Sequence, residues 1–290
     1  MVFGQHNLMI ISIRHTAHPF TSPMKFTDQL SRTIELPEWP PKKIISIVPS
    51  QTELLYDLGL DDEVIGITKF CVHPEKWFRT KKRVGGTKQL NIAAIRDLNP
   101  DLIIANKEEN LQEQVEQLEK EFPVWISDIK NLEQACHMIR SVGGLVGKSK
   151  HGEKLVDGII EQFDQLANSV RRENNHVRTA YLIWNDPMMT VGGDTFINDM
   201  MLRAGMKNIF ENTNRYPKTS IDELISLQCE LLLLSSEPFP FKEVHVRQMQ
   251  EQLPDTNISL VDGEMFSWYG SRLLSTPAYL NRLRELLINC

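Results

Sequence analysis

The segment from Lys148 to about Asn174 is the longest uninterrupted helical pattern in this sequence. Leu155, Ile159, Ile160, Phe163, Leu166, Ala167 and Val170 recur at three and four residues, with no proline and no glycine after Gly158. That spacing predicts one helix of about six turns. Such a helix in mid-chain has to connect two bodies, and the sequence on either side says what those bodies are.

Before it, the apolar runs Ile44–Val48, Val64–Thr68, Leu102–Ala105 and Val124–Ser127 alternate with helical patterns around Leu54–Leu58, Ile92, Val115–Phe122 and Asn131–Val146. After it, the runs Ala180–Trp184, Leu231–Ser235 and Ile258–Val261 alternate with helical patterns at Phe196–Ala204, from Asp222, and at Arg272–Leu287. Short strands alternating with helices predict an α/β sheet covered by helices. The order also repeats. A helix from Ile92 leads through Asn99-Pro100 into Leu102, and a helix from Asp222 leads through Gln228-Cys229 into Leu231, the mark of a weak internal duplication. The expected architecture is an α/β lobe over 24–147, a connecting helix over 148–174 and a second α/β lobe over 175–290, with a cleft where the strand ends meet. Ser50 stands three residues before Glu53, so a capping box is expected to open the first helix.

The 290 residues, 41% of them hydrophobic, are enough to fill two such interiors. The net charge is −6 and no basic cluster exceeds Lys81–Arg83, so nucleic acid is excluded as a partner. Cys71, Cys136, Cys229 and Cys290 are too scattered for a disulfide framework or a zinc ribbon. Residues 1–23 read as a mobile tail, or as sequence upstream of a start at Met24. The run Leu8–Ile13 lacks the length, the preceding basic residue and the cleavage site of a signal peptide, which predicts a cytoplasmic protein without membrane insertion.

Gly147-Lys148-Ser149 imitates the end of a phosphate-binding loop, but Val142 replaces the required first glycine and the preceding residues are helical. Cys71 and His73 form a C-x-H pair after the second strand, short of the three or four ligands a metal needs. No catalytic triad, HExxH or paired-carboxylate pattern occurs, so no catalytic residue is assigned. Aromatic residues do collect after strands: Phe70, Trp184 followed by Met188 and Met189, Tyr216, Phe239, Phe241, Trp268 and Tyr269. Rings at strand ends of both halves suit a cleft that grips a large flat ligand. Lys88, Glu108, Glu109, Arg215 and Glu237 would supply its polar contacts.

The stretches IISIVPSQTELLYDLGLDDEVIGITKFCVHP, VGGTK, LNPDLIIANKEEN and PVWISD, and then IWNDPMMTVGGDTFINDM, RYPKTSIDEL, LLLLSSEPFPF and LVDGEMFSWYG, resemble the helical-backbone periplasmic-binding-protein-like family. That family includes the vitamin B12-binding and ferric-siderophore-binding components of ABC importers. The resemblance runs from Lys43 to the C-terminus. It implies two Rossmann-like lobes on a single backbone helix, little hinge motion, a monomer, and binding without chemistry or intrinsic cofactor. The implied ligand is a metal chelate, a cobalamin-like corrinoid ahead of haem or a ferric siderophore. By the same resemblance Phe70 is a ligand-stacking ring of the first lobe, Tyr216 lies beside the second-lobe aromatic, and Glu264–Tyr269 is the last cleft loop. Thr87 stands where the B12-binding member has a large aromatic, and His73 lies in the same first-lobe loop group. A membrane permease would be met by one acidic residue per lobe. The second lobe has Asp222 and Glu223, whereas Ala93 occupies the first-lobe position. Family membership would imply a periplasmic location instead. The competing reading is an enzyme acting on the chelate through Cys71 and His73.

Overall fold

The computed structural model describes residues 23–173 and 177–287; residues 1–22 of the expected 1–23 tail, Asn174 at the expected end of the connecting helix, and Cys290 lie outside the described residues. The first element is a hairpin that no long apolar run announces. β1 (Met24–Thr27) and β2 (Thr33–Leu36) pair antiparallel. The Asp28 carboxylate closes the turn by accepting the Leu30 and Arg32 backbone N–H groups, each at 2.9 Å. Ile34 and Leu36 alternate inward, so two residues suffice to fix the strand's face.

The first lobe follows as β3 (Ile44–Ser46), α1 (Pro49–Asp57), β4 (Val64–Ile67), α2 (Glu75–Thr80), β5 (Lys82–Arg83), α3 (Ile92–Leu98), β6 (Leu102–Asn106), α4 (Gln112–Glu119) and β7 (Val124–Ser127). Its parallel sheet has the order β5-β4-β3-β6-β7. The chain starts in the middle and winds outward, first one way and then the other. The switch falls between β3 and β6, where loops diverging from the strand ends leave a crevice. Helices cover both faces, which is why the strands read as unbroken apolar runs: Ile44, Leu102 and Ile104 fill one core, and Ile45, Ile103 and Ala105 the other.

α5 (Leu132–Leu145) leads into α6 (Ser149–Glu173). Between them Gly147 takes φ +73° and the Lys148 N–H donates to the Gly143 carbonyl at 2.6 Å. The Gly-Lys-Ser segment is thus a helix C-cap, not a phosphate loop.

The second lobe comprises β8 (Val177–Asn185), β9 (Met188–Thr190), α7 (Phe196–Arg203), β10 (Met206–Asn208), α8 (Ile221–Ser226), β11 (Leu231–Ser235), α9 (Glu243–Gln250), β12 (Asn257–Val261) and α10 (Glu264–Ser267). A 3₁₀ turn, Ser271–Leu274, then precedes α11 (Thr276–Leu287). The parallel order is β10-β8-β11-β12, with β9 antiparallel on β8. The fold is therefore the two-lobed α/β architecture expected. Among the described residues no helix is long and apolar enough to cross a membrane.

The duplication holds residue by residue across one stretch. The same spacing separates the N-caps Asn91 and Ser220, the strand starts Leu102 and Leu231, and the left-handed residues Asn99 (φ +47°) and Gln228 (φ +51°). Asparagine tolerates that conformation, whereas glutamine is strained in it. Gln228→Gly is expected to raise stability by about 0.5–1 kcal/mol, the relief of strain exceeding the added chain entropy, with a smaller gain for Asn99→Gly. Urea melts of the two variants check this.

α6 packs on α5 of the first lobe and on α7, α11 and the 3₁₀ turn of the second. One apolar cluster runs without a break through Leu54, Ile139, Phe163, Tyr181, Phe196 and Leu280, so both lobes and the connecting helix share an interior. The expected capping box does not form. α1 starts at Pro49 with Val48 as N-cap and no side-chain cap bond. Proline at the first helical position has no N–H to satisfy, and Glu53 is left to pair with Arg272 of the other lobe.

Candidate ligand-binding site

The loop after β6 is built by two asparagines. Asn106 Oδ1 accepts the N–H groups of Glu108 (2.8 Å) and Glu109 (3.0 Å), and Asn110 Oδ1 accepts that of Asn106 (2.9 Å). The Asn110 amide donates in turn to the carbonyls of Ile47 (3.2 Å) and Thr87 (3.1 Å), which ties three strand-end loops together. Two glutamates are thereby fixed at the switch point. In the second lobe Ser235 holds the equivalent position: its Oγ accepts the Glu237 N–H at 3.2 Å and donates to the Glu237 carbonyl at 2.6 Å. The spacing that relates Leu102 to Leu231 relates Asn106 to Ser235, Glu108 to Glu237 and Thr87 to Tyr216.

These loops meet across the cleft. Glu108 accepts the Tyr216 hydroxyl at 2.8 Å and pairs with Arg215 at 2.6 Å. On the other side His73 lies 3.4 Å from Glu264 and packs edge-on to Trp268 at 5.6 Å. Arg272 bridges Glu264 (2.7 Å) to Glu53 of α1 (2.6 Å) and lies over the Trp268 ring at 4.7 Å. Ser271 bonds Asp57, and Gly270 packs so closely that a Cβ there would stand 2.6 Å from the Ser50 carbonyl. Gly270 is required by this close approach.

The structure thus gathers Phe70, Thr87, Lys88, Glu108, Glu109, Arg215 and Tyr216 on one side, and His73, Glu237 and Trp268 on the other. Phe70 is 51% exposed, lies against Gly86 and carries Lys69 over its ring at 5.1 Å, so it offers a free face. Thr87 is buried, with its carbonyl held by Asn110. Tyr269 is buried, its ring against Phe196 at 5.6 Å, while its hydroxyl is bonded to Ser50 of the first lobe and feels the charges of Glu109 and Glu108, so it lies beside the cleft carboxylates. Trp184 and Phe239 are brought to each other (5.7 Å) and to Phe241 and His245, a group distinct from the cleft rings. Met189 sits in β9, packed on the core. Asp222 and Glu223 are exposed in the first turn of α8, and Ala93 is exposed at the matching place in α3. The C-x-H pair divides: Cys71 is fully buried with its Sγ 3.1 Å from both Thr52 and Thr68, while His73 faces the cleft. Burial pushes the Cys71 thiol up, and among the described residues no cluster suited to a metal occurs. Sequence reading passed over Asn106, Asn110, Glu53 and Arg272. The N-x-x-x-N pair directly after a strand was the available signal; for Glu53 and Arg272 there was none.

Burial raises the proton affinity of two carboxyls. Glu109 is raised chiefly by burial, with Lys88 opposing and the Glu237 and Glu108 charges adding. Glu237 is raised by burial, with the Ser267 hydrogen bond opposing and the Glu264 charge adding. A carboxyl whose folded pKa is raised costs stability once pH climbs through its titration and costs nothing below its ordinary range. Glu109→Gln is therefore expected to raise the melting temperature at neutral pH, and the gain is expected to vanish as pH falls to about 4. Paired thermal melts across pH give the result.

Two α/β lobes on one rigid helix, with aromatic and charged side chains from both gathered at the strand ends, define a two-lobed ligand-binding protein. A family model described as "Periplasmic binding protein" matches residues 44–255, and the chain belongs to that family. The vitamin B12-binding protein of Vibrio campbellii is 28% identical over 218 residues, 74% of this chain and 77% of the relative. The crystal structure of the periplasmic vitamin B12-binding protein of Vibrio cholerae superposes with a TM-score of 0.73 at 20% identity, covering 86% of this chain and 98% of the other. The periplasmic haem-binding protein of Roseiflexus sp. RS-1 gives 0.74 at 20% identity over 86% and 98%.

This membership overturns the expectation of a cytoplasmic protein: the family points to the periplasm. The expectation rested on missing signal-peptide features around Leu8–Ile13, and an absence of that kind does not assign a compartment.

Proposed function

We propose that this chain is a non-catalytic solute-binding protein that holds a metal chelate between its lobes, a cobalamin-like corrinoid first, as the binding component of an ABC importer. One observation carries the reading. Rings and carboxylates from strand-end loops of both lobes meet, Glu108 with Tyr216, His73 with Trp268 and Glu109 within the field of Glu237, and Phe70 beside Gly86 adds an exposed ring. A flat macrocycle with a polar rim needs that combination. The family membership and the relatives named vitamin B12-binding proteins support it.

Haem is the second reading, favoured by the solved neighbour that binds it and by His73, whose imidazole faces the cleft. Tyr216 is not free for iron: its hydroxyl donates to Glu108 at 2.8 Å, and a ligand role would require that bond to break. The exposed Asp222 and Glu223 would face the permease, with Ala93 leaving the first-lobe contact uncharged. The buried, hydroxyl-bonded Cys71 offers no nucleophile to the cleft, which weighs against the enzyme reading.

Titration with cyanocobalamin, haem and a ferric siderophore, followed by tryptophan quenching and the ligand's visible spectrum, tests the proposal. Saturable binding of cyanocobalamin at about micromolar concentration or below is the expected result. Saturable binding of haem alone would replace the corrinoid reading, and binding of none would overturn it.

A further inference from the structure

The inward-facing charges of the cleft do not balance. Glu108 is answered by Arg215 at 2.6 Å, and Glu264 by Arg272 at 2.7 Å. Glu237 receives only uncharged donors, Ser267 Oγ at 2.6 Å and Trp268 Nε1 at 3.0 Å. Among the described residues, no hydrogen bond and no ion pair reaches the Glu109 carboxylate. Lys88 is the cation whose field it feels, and the Lys88 ammonium is turned to the Glu108 carbonyl. Glu109 and Glu237 come from opposite lobes, and the charge of one adds to the burial of the other across the cleft.

An ionised carboxylate only accepts hydrogen bonds, and Glu109 and Glu237 are half-buried, so a ligand that closes the cleft strips their remaining water, at a cost, and must supply donors in its place. A ligand edge lined with amide N–H groups or bearing positive charge repays that cost. An edge bearing carboxylates or catecholate oxygens adds like charge and leaves more acceptors unanswered. Resting on the reading of the chain as a chelate binder, we propose that Glu109 and Glu237 are specificity-determining residues that select a chelate whose facing edge is donor-rich and uncharged or cationic, and reject anionic chelates. The amide-fringed rim of a corrinoid has this chemistry; ferric tricatecholates and the propionates of haem have the opposite.

The test uses two pairs of probes whose members share a metal centre and differ chiefly in the charge at one peripheral group. One pair is cyanocobalamin and its monocarboxylate, made by hydrolysing one peripheral amide. The other is a cationic ferric trihydroxamate with a free amine and its anionic N-succinyl derivative. The wild-type protein is expected to bind the uncharged or cationic member of a pair at least about tenfold more tightly. Glu109→Gln is expected to bring that ratio to within about threefold by gaining affinity for the anionic member, as removal of an introduced repulsion does. Glu109 has no side-chain bond to lose, so this variant keeps the test decisive if Glu237→Gln unfolds. A wild-type ratio near one, or a ratio unchanged in Glu109→Gln, overturns the proposal. Cobalamin bound without discrimination sinks this proposal and leaves the corrinoid reading standing. Discrimination within the trihydroxamate pair alone supports the charge rule and removes the corrinoid. Failure of all four probes to bind overturns both.

Discussion

Trp268→Ala is expected to cost about 3–4 kcal/mol of stability and to abolish ligand-dependent quenching. The ring is 6% exposed, packed edge-on against His73 of the opposite lobe at 5.6 Å and covered by Arg272 at 4.7 Å. Its Nε1 donates to Glu237 at 3.0 Å. Truncation removes the ring that joins the lobes at this edge and leaves Glu237 with the Ser267 hydroxyl as its remaining donor. Trp268→Phe separates the two losses: it keeps most of the contact area and deletes the N–H, for about 1–2 kcal/mol. Urea melts give the energies and titration with cyanocobalamin gives the binding arm. An alanine variant that melts like the wild type would show that the ring does not bridge the lobes.

Arg272→Ala is expected to cost about 2–3 kcal/mol, below the loss for a fully buried ion pair because the site retains some contact with water. The guanidinium joins Glu53 of α1 to Glu264, and the exposures of the three side chains are 13%, 18% and 21%. Its removal leaves two carboxylates facing each other with no cation between them. A double variant, Glu53→Gln with Arg272→Ala, is expected to recover at least about 1 kcal/mol of the loss, since it removes one of the two orphaned charges without restoring the arginine stem. Equal losses in the single and double variants would show that packing of the arginine stem, not charge, holds the joint.

The longer strands of both lobes were legible because they are covered on both faces and read as apolar runs, and α6 because its period survives over its whole length, whereas β5, β9 and β10, of 2, 3 and 3 residues, are too short to form such a run. The β1–β2 hairpin was not, since Ile34 and Leu36 are its only inward pair in strands of 4 residues each. The start of α1 was misread because a capping-box spacing and a proline at the first helical turn both announce a helix, and only one can be used. At the cleft, residue types were readable and partnerships were not: that Glu108 faces Arg215 and Tyr216 depends on how two lobes sit, which no local pattern encodes. Trp184 is a different case. It shares strand parity with Ala180 and Leu182, whose cluster lies on the face of β8 opposite Tyr181 and Ile183. That alternation already set it with Phe239 on a different face from the cleft rings.

The interior that runs unbroken from Leu54 through Phe163 to Leu280 changes what a ligand can report. Where lobes have separate cores, occupancy of the cleft shifts only the step that parts them. Here the shared interior leads us to expect one transition for both lobes, so a ligand bound to the native form alone raises all of it by RT ln(1 + [L]/Kd), about 2.7 kcal/mol at a hundredfold excess over Kd. A simple heating experiment then becomes a competition assay, in which chelates are ranked by mass action with no spectroscopic handle on the ligand.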